Sequence, residues 1–438
     1  MFVGLHEQAT FRATMKKRQG HMGALRAALA LCLACLLQVW LPGAVSDLRA
    51  DESIARDARL GGNAQRTRFV TVLSKKVKFA IRTLADPYRV VIDLSDVKLN
   101  LPPGKGKESK GLVKGYRYGR VEPYGVRIIL DVKAPVLIDK ASIWPARDGY
   151  PPRLVVELTR TDRNTFLVKQ LSRTNSRIAA KRTAKGGRSG ASSIASPKRK
   201  KSRKAKRVIV IDPGHGGIDP GAVSKAGLKE KDMVFAFAKV LRDILKKSGR
   251  YQVIMTRSVD SYISLRKRVD FGRQKYADLF ISLHADSLSG RYAKIVAGAT
   301  VYTLSEQASD EEAKALAAKE NRSDIIAGVE LPSESSDVTN ILIDLAQRET
   351  KNLSIGFADT LLAGLNGKTK IRKKGRRYAG FRVLKAPDVP SVLIELGYMT
   401  HPEDVKRLKS SAWRVRVAGA VAKAVDTYFL KRTARNPF

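Results

Sequence analysis

The chain has 438 residues, which is room for two or three domains, and its hydrophobic content of 43% is ordinary for a globular protein. Its formal net charge of +42 is not ordinary and indicates contact with polyanions such as nucleic acid, anionic lipid or an acidic polymer. The only cysteines, Cys32 and Cys35, lie in an N-terminal segment that we expect to be removed, which excludes disulfides and thiolate chemistry from the mature chain.

The N-terminus has the pattern of a secretion signal. Basic residues at 16–18 and 26 precede an apolar run over 27–39, and small residues follow it. The run is shorter than the ~20 residues of a membrane-spanning helix, which favours cleavage, after Ser46 or Ala50, over an uncleaved anchor. We therefore assign residues 1–50 to a signal peptide and N-terminal extension.

Short strands are predicted for residues 60–162. Pro, Gly, Asp and Lys separate segments rich in β-branched residues, which are RFVTVL, VKFAI, YRVVIDL, GVRIILDV, VLIDKASIW and RLVVELT. This pattern predicts a small all-β sandwich. The region has no histidine, no cysteine and no obvious acidic pair, which favours a binding or targeting module over an enzyme. Its tyrosines and Trp144 could stack on sugars, although such residues more often belong to a core.

The composition changes in residues 163–207, where Gly, Ser, Lys and Arg replace large apolar residues. Such a segment cannot bury enough surface to order itself, so it is predicted to be a basic disordered linker. In a cytosolic protein PKRKKSRKAKR would favour nucleic-acid binding. Behind a secretion signal we expect it instead to hold an anionic wall polymer or a membrane surface, with no specific nucleic acid as partner.

Strands alternate with helices in residues 208–432. The predicted strands are RVIVIDPG, YQVIMTR, ADLFISLHAD, GATVYTL and PSVLIELGYM, and helical patterns lie between and after them. This order predicts an open twisted, mainly parallel sheet with helices on both faces, with the site beyond the carboxyl ends of the strands. His215, His284 and Glu395 all fall at or near such strand ends.

A metal site is predicted from three of these positions. His215 follows a strand inside DPGHGG, His284 follows DLFISL, and Glu230 opens the helix of KEKDMVFAFA. A lone histidine at a strand end is usually a hydrogen-bonded turn residue, but the mature chain has only three histidines and two stand in such loops. Two imidazoles, one carboxylate and an open fourth position are typical of catalytic zinc. We therefore predict one Zn²⁺ ion per chain.

Several motifs in this region resemble a known family. In chain order, VIDPGHGGIDPGA, KEKD, TRSVDSYISLRKRVDFG, ADLFISLHAD and AGFRVLKAPDVPSVLIELGYMT resemble the zinc-dependent N-acetylmuramoyl-L-alanine amidases of bacterial cell-wall turnover and division. The resemblance covers residues 208–430, about half of the chain. The β-rich region is similar, more weakly, to the N-terminal module that directs such amidases to peptidoglycan at the septum.

The resemblance implies that His215, Glu230 and His284 bind zinc and that Glu395 is the catalytic carboxylate. It implies a periplasmic enzyme that hydrolyses the amide bond between N-acetylmuramic acid and L-alanine in peptidoglycan during cell separation. Glu395 stands in an apolar strand, where a buried carboxylate is costly unless it has a function or a partner. The alternative to a catalytic role is a structural ion pair with an arginine such as Arg382. Asp286, where many relatives have Asn, and Arg382 are candidates for contacts to substrate or to the zinc ligands.

An acidic insertion at residues 305–350 stands out in this basic chain. A helix is expected over 309–327 and a second one from near Asp337. In division-type amidases a similar insertion blocks the site until a partner protein moves it, so the resemblance implies autoinhibition and an activator. Glu320 is our candidate for the carboxylate at the open zinc position, and a solvated pair of surface helices is the alternative.

The sequence also allows two other functions. One is a zinc peptidase that cuts the stem peptides of peptidoglycan, and another is a non-catalytic wall-binding protein. His401, in THPED, is either a further ligand or a turn residue, and we expect a turn residue.

Overall fold

The computed structural model describes residues 52–102, 104–123, 125–170, 206–288, 292–329 and 341–435. The predicted signal segment, most of the predicted linker and the expected start of a helix near Asp337 lie outside these ranges. Within them, no helix is both long and apolar enough to cross a membrane.

The first described region is a β-sandwich, as predicted. One sheet has the strand order β5-β1-β2-β9-β8 and the other the order β3-β4-β7-β6, and their facing side chains, such as Phe69 and Ile128, share one buried core. Neighbouring strands are antiparallel except for β1 and β5. The strands are β1 (Ser53–Gly62), β2 (Arg66–Leu73), β3 (Phe79–Leu84), β4 (Arg89–Leu94), β5 (Val97–Leu99), β6 (Val113–Val121), β7 (Gly125–Val132), β8 (Val136–Trp144) and β9 (Arg153–Arg160).

Two differences from the sequence expectation concern the ends of this region. Strand β1 begins at Ser53, before residue 60, and was missed because its buried residues, Ser53, Ala55 and Ala58, are small and have charged neighbours. The predicted linker was expected to begin at residue 163, but 163–170 are helical. Phe166 is buried there, with its ring centroid 5.2 Å from that of Tyr88, so these residues gain a packing partner that composition did not reveal.

The second region is an α/β unit around a sheet of order β11-β10-β12-β15-β13-β14. The pairs are parallel except for β13 with β15, so the predicted mainly parallel sheet is confirmed. The strands are β10 (Arg207–Pro213), β11 (Tyr251–Met255), β12 (Leu279–His284), β13 (Ala299–Leu304), β14 (Ile371–Ala379) and β15 (Ser391–Glu395). The helices are α1 (Glu230–Lys247), α2 (Leu265–Gln274), α3 (Tyr292–Ile295), α4 (Glu311–Glu320), α5 (Ser323–Ile326), α6 (Ile341–Leu365), α7 (Pro402–Lys409) and α8 (Ser411–Arg435).

Helices cover both faces of this sheet. Ile209 and Ile211 of β10 point into the core formed with α1, α6 and α8, whereas Val210 points into the core formed with α2 and α4. This alternation is the two-residue period of a strand buried on both sides. Strand β14 was missed because IRKKGRRYA is strongly basic, and its place at the sheet edge leaves charged side chains such as Lys373 exposed.

Helix α8 offers a matched pair of neighbours for testing this packing. Phe429 is 2% exposed and Leu430 is 71% exposed. Phe429→Ala should lower the free energy of unfolding by about 3–5 kcal/mol because it leaves a cavity, and Leu430→Ala should change it by less than about 0.5 kcal/mol. Urea unfolding followed by circular dichroism measures both values. Equal losses in the two variants would contradict the burial of this helix face.

Candidate metal centre

Glycine-rich turns bring the ends of β10 and β12 together. His215 has a φ of +57°, an uncommon conformation for a side-chain-bearing residue, and it stands between Gly214 and Gly216. A Cβ atom on Gly214 would lie 2.5 Å from Nε2 of His284, so only glycine allows the two loops to approach. The DPGHGG motif therefore places its histidine against the second predicted histidine.

His215, Glu230 and His284 offer three converging ligand atoms. Oε1 of Glu230 lies 3.2 Å from Nε2 of His215 and 3.2 Å from Nδ1 of His284, and all three ligand atoms lie within 4.8 Å of one another. The three side chains are buried, and among the described residues neither facing nitrogen has a hydrogen-bond partner. Such orphaned nitrogens beside a buried carboxylate fit a metal cation.

Neighbouring groups orient two of these side chains. Oδ2 of Asp219 lies 2.8 Å from Nδ1 of His215, which leaves Nε2 to face Glu230. The N–H groups of Ala222 and Ala285 donate to the two oxygens of Glu230, each at 2.8 Å. Sequence reasoning missed Asp219, although it stands four residues after His215 in the same motif.

Two buried arginines hold the loop that carries His215. Arg268 donates to Oδ1 of Asp212 and to the His215 carbonyl, both at 2.7 Å, and Arg257 donates to the Gly214 carbonyl at 3.2 Å. Burial, helped by the charge of Arg268, lowers the pKa of Arg257 to about 10, so both guanidinium groups stay charged at neutral pH. Both arginines stand in the quoted motif TRSVDSYISLRKRVDFG, but their role could be seen only in three dimensions.

Glu395 ends β15 beside this cluster. Its Oε2 accepts the Asp286 N–H at 2.9 Å, whereas Oε1 has no hydrogen-bond partner among the described residues. Arg382 lies in the 3₁₀ helix Arg382–Leu384 and does not donate to that oxygen. Burial, reinforced by the charges of Asp286 and Glu230, raises the pKa of Glu395 well above its ordinary value. The group is therefore poised to accept and hold a proton.

The insertion brings a further carboxylate to the same point. Helix α4 ends at Glu320, whose Oε2 lies 3.4 Å from Nε2 of His215 and 3.2 Å from Nδ1 of His284. Glu320 is buried, and burial raises its pKa to about 7 although the two imidazoles lower it. Its carboxylate thus faces the same two imidazole nitrogens as the carboxylate of Glu230. The alternative of a fully solvated pair of helices does not hold for α4, because Ala313, Leu316 and Ala317 are also buried.

Lys319 joins the end of α4 to the loop after β12 through side-chain hydrogen bonds. Its Nζ donates to Oδ1 of Asp286 and to Oγ of Ser287, the latter at 2.8 Å. The predicted single helix over 309–327 is interrupted at residues 321–322, where α4 gives way to α5. That break turns the chain directly after Glu320.

His401 lies apart from this cluster. It precedes α7 as its N-cap, and its carbonyl accepts the N–H of Val405 at 3.1 Å. It is not among the metal-ligand atoms that converge within the described residues. Its position is that of a turn residue, as expected.

Comparison with known proteins identifies the family. A family model described as N-acetylmuramoyl-L-alanine amidase matches residues 209–427, and one described as AMIN domain matches residues 57–144. The chain is 34% identical over 373 residues to the N-acetylmuramoyl-L-alanine amidase AmiC of Escherichia coli O6:H1, covering 83% of this chain and 86% of that protein. The chain belongs to the N-acetylmuramoyl-L-alanine amidases. The predicted enzyme class, peptidoglycan substrate and N-terminal module of such amidases are thereby confirmed.

Two further relatives, both amidases, support the same assignment. AmiC of Neisseria meningitidis serogroup B is 31% identical, with 85% of this chain and 89% of that protein covered. AmiA of Escherichia coli strain K12 is 42% identical over 234 residues, with 53% of this chain and 79% of that protein covered. Among solved structures, AmiC2 of Nostoc punctiforme matches with a TM-score of 0.37 and 28% identity, covering 52% of this chain and 98% of that one.

Proposed function

We propose that this amidase is an exported, zinc-dependent enzyme of cell separation, blocked in the described state by its own insertion and released by a partner protein. The observation that carries this proposal is the convergence of His215, Glu230 and His284, with unpartnered nitrogens, beside Glu395. The proposed ligands are Nε2 of His215, Nδ1 of His284 and the carboxylate of Glu230. This set of two imidazoles and one carboxylate suits zinc.

The charge balance supports a bound cation. Four buried carboxyl groups, those of Glu230, Asp286, Glu320 and Glu395, surround the centre. Within the described residues Asp286 pairs with Lys319, and the imidazoles of His215 and His284 face Glu230 and Glu320. Buried carboxylates without a cation are costly. A divalent ion between them would offset this cost.

The reaction that fits is hydrolysis of the amide bond between the lactyl group of N-acetylmuramic acid and L-alanine. A bound zinc ion lowers the pKa of water and polarises a carbonyl. Glu395, whose Oε1 has no other hydrogen-bond partner, accepts the proton of the attacking water and delivers it to the leaving nitrogen. The Asp286 N–H holds the other oxygen of Glu395 in place for both steps.

Autoinhibition follows from the position of Glu320. Its carboxylate lies where substrate or water would reach the metal, and Lys319 ties the same helix end to Asp286. A partner that withdraws α4 would remove both contacts together. Asp286 would then be free of Lys319 and available to contact the substrate.

Location and anchoring complete the proposal. The predicted signal peptide would export the enzyme to the periplasm, and the AMIN domain would hold it at peptidoglycan. The basic residues between positions 171 and 205 would add a loose contact to an anionic wall polymer or a membrane surface, because opposite charges attract each other.

Metal content tests the proposed ligands. The purified full chain should hold about one zinc ion, and Glu230→Ala should lose it because the site then lacks one of its three proposed ligands. Glu403→Ala, at an exposed position of α7, is the control and should keep the ion. Elemental analysis measures the zinc, and circular dichroism checks that each variant is folded. An equal zinc content in both variants would contradict this ligand set.

The role of Glu395 is tested with Glu395→Gln. The variant should keep its zinc but hydrolyse peptidoglycan about 10²–10⁴ times more slowly, because the amide cannot take the proton. Mass analysis of products from the active chain should show whole stem peptides with a free L-alanine amino group and intact glycan. Stem peptides cut internally would instead support the zinc peptidase.

Glu320→Ala tests the proposed block. Hydrolysis without any added partner should rise by about tenfold or more, because removal of the carboxylate shifts the site toward its open state. Glu311→Ala is the matched control, since that side chain lies on the same helix and is 90% exposed. If Glu320→Ala showed no more activity than Glu311→Ala, autoinhibition by this carboxylate would be wrong.

A further inference from the structure

Four arginines of the AMIN domain bind the segment that follows Glu320. They come from the four strands β3, β4, β6 and β7 of one sheet, and they donate hydrogen bonds to four successive backbone carbonyls at residues 325–328. The contacts are Arg89 to Ile325, Arg117 to Ile326 at 3.1 Å, Arg127 to Ala327 at 2.8 Å and Arg82 to Gly328 at 2.7 Å. Charged donors make stronger hydrogen bonds than neutral ones, and the last carbonyls of a helix lack partners within it.

Two carboxylates of the same sheet orient three of these four guanidinium groups. Asp93 pairs with both Arg82 and Arg127, at 2.6 and 2.5 Å, and Asp131 pairs with Arg117. Arg127 is 1% exposed. Side chains that are buried and paired in this way are held in a fixed geometry. The folded sheet therefore presents these arginines in position to bind the carbonyls at residues 325–328.

Apolar contacts complete the same surface. Ala327 is buried in a cluster with Val91 and Ile129 of the sheet. Gly328 has a φ of +65°, and a Cβ atom there would lie 3.1 Å from side-chain carbons of Ile129 and Val91. The segment therefore fits closely against the sheet, and a larger residue at this point would have to displace these side chains.

Tyr262 links this surface to the catalytic region. Its hydroxyl donates to Oδ1 of Asp324 in α5 at 2.6 Å. Its backbone N–H donates to the carbonyl of Arg120 at 2.9 Å, and its own carbonyl accepts the N–H of Glu122 at 3.1 Å. The end of β6 and helix α5 are thus joined through one residue of the loop before α2.

We propose that this AMIN sheet is a latch that holds the insertion over the metal centre, which extends the autoinhibition set out under Proposed function and rests on it. Helix α5 starts three residues after Glu320, so α4 and α5 are joined by a tether of two residues. Withdrawal of Glu320 from the site therefore strains or breaks the contacts at residues 325–328. The domain that is proposed to hold the enzyme at the wall would thereby also set how readily its site opens.

The latch is tested from the AMIN side with the double variant Arg89→Gln and Arg117→Gln in the zinc-loaded full chain. Arg82 and Arg127 are left intact, because their loss would leave Asp93 buried without a cation. Hydrolysis of peptidoglycan without added partner should rise about tenfold, since two charge-assisted hydrogen bonds to the closed state are lost. Hydrogen exchange at residues 311–329 should become faster. Arg68→Gln, on the other sheet of the domain, is the control and should change neither value.

A second variant approaches the latch from the insertion side and leaves the AMIN domain untouched. Gly328→Ala adds a methyl group against the sheet and should produce the same two changes. Gly367→Ala is its control, because Gly367 has a similar φ of +70° but no atom within 4 Å of an added Cβ. The two glycine variants therefore share the backbone strain and differ in the contact with the sheet.

The outcomes separate the latch from the proposal on which it rests. If Glu320→Ala raises activity while the latch variants leave activity and exchange unchanged, the latch is wrong and autoinhibition stands. If Glu320→Ala has no effect, autoinhibition is wrong and the latch falls with it. Zinc content and the loss of activity in Glu395→Gln remain independent of both results.

Discussion

The buried negative charge at one end of the catalytic sheet is the constraint on which the rest of the structure depends. Glu230, Glu320 and Glu395 lie in a space sealed from solvent, and the raised pKa of Glu395 reflects that burial. A cation at the unpartnered nitrogens of His215 and His284 would relieve the repulsion between these carboxylates. Such a cation would also attract the carboxylate of Glu320 from the acidic insertion.

The scaffold keeps this charged cluster in place by fixing loops at strand ends. Strands β10, β12 and β15 are parallel neighbours, so the residues at their carboxyl ends meet at one edge of the sheet. Glycines at 214 and 216 allow the close approach, and Arg257 and Arg268 hold the loop carbonyls. Rigid support of this kind suits a site whose ligands must be held ready for a metal.

Sequence reasoning reached the sandwich, the α/β sheet and the three converging residues because each has a local signal. His215 and His284 stand directly after apolar strands, and such strands are readable from periodicity. Asp219 and Lys319 were missed because their roles depend on which loops meet in space. Strand β14 was missed because an edge strand tolerates a charged sequence. The hydrogen bonds from the arginines to residues 325–328 were missed because every residue has a backbone carbonyl, so the sequence does not show which ones are bound.

The most direct test of the account is a crystal structure of the zinc-loaded full chain with anomalous diffraction measured at the zinc edge. The account predicts one zinc ion about 2.0–2.2 Å from Nε2 of His215, Nδ1 of His284 and the Glu230 carboxylate, with Glu320 as the fourth ligand. Zinc bound elsewhere would contradict the proposed centre. Zinc at this centre with Glu320 turned away and water in its place would contradict the proposed block.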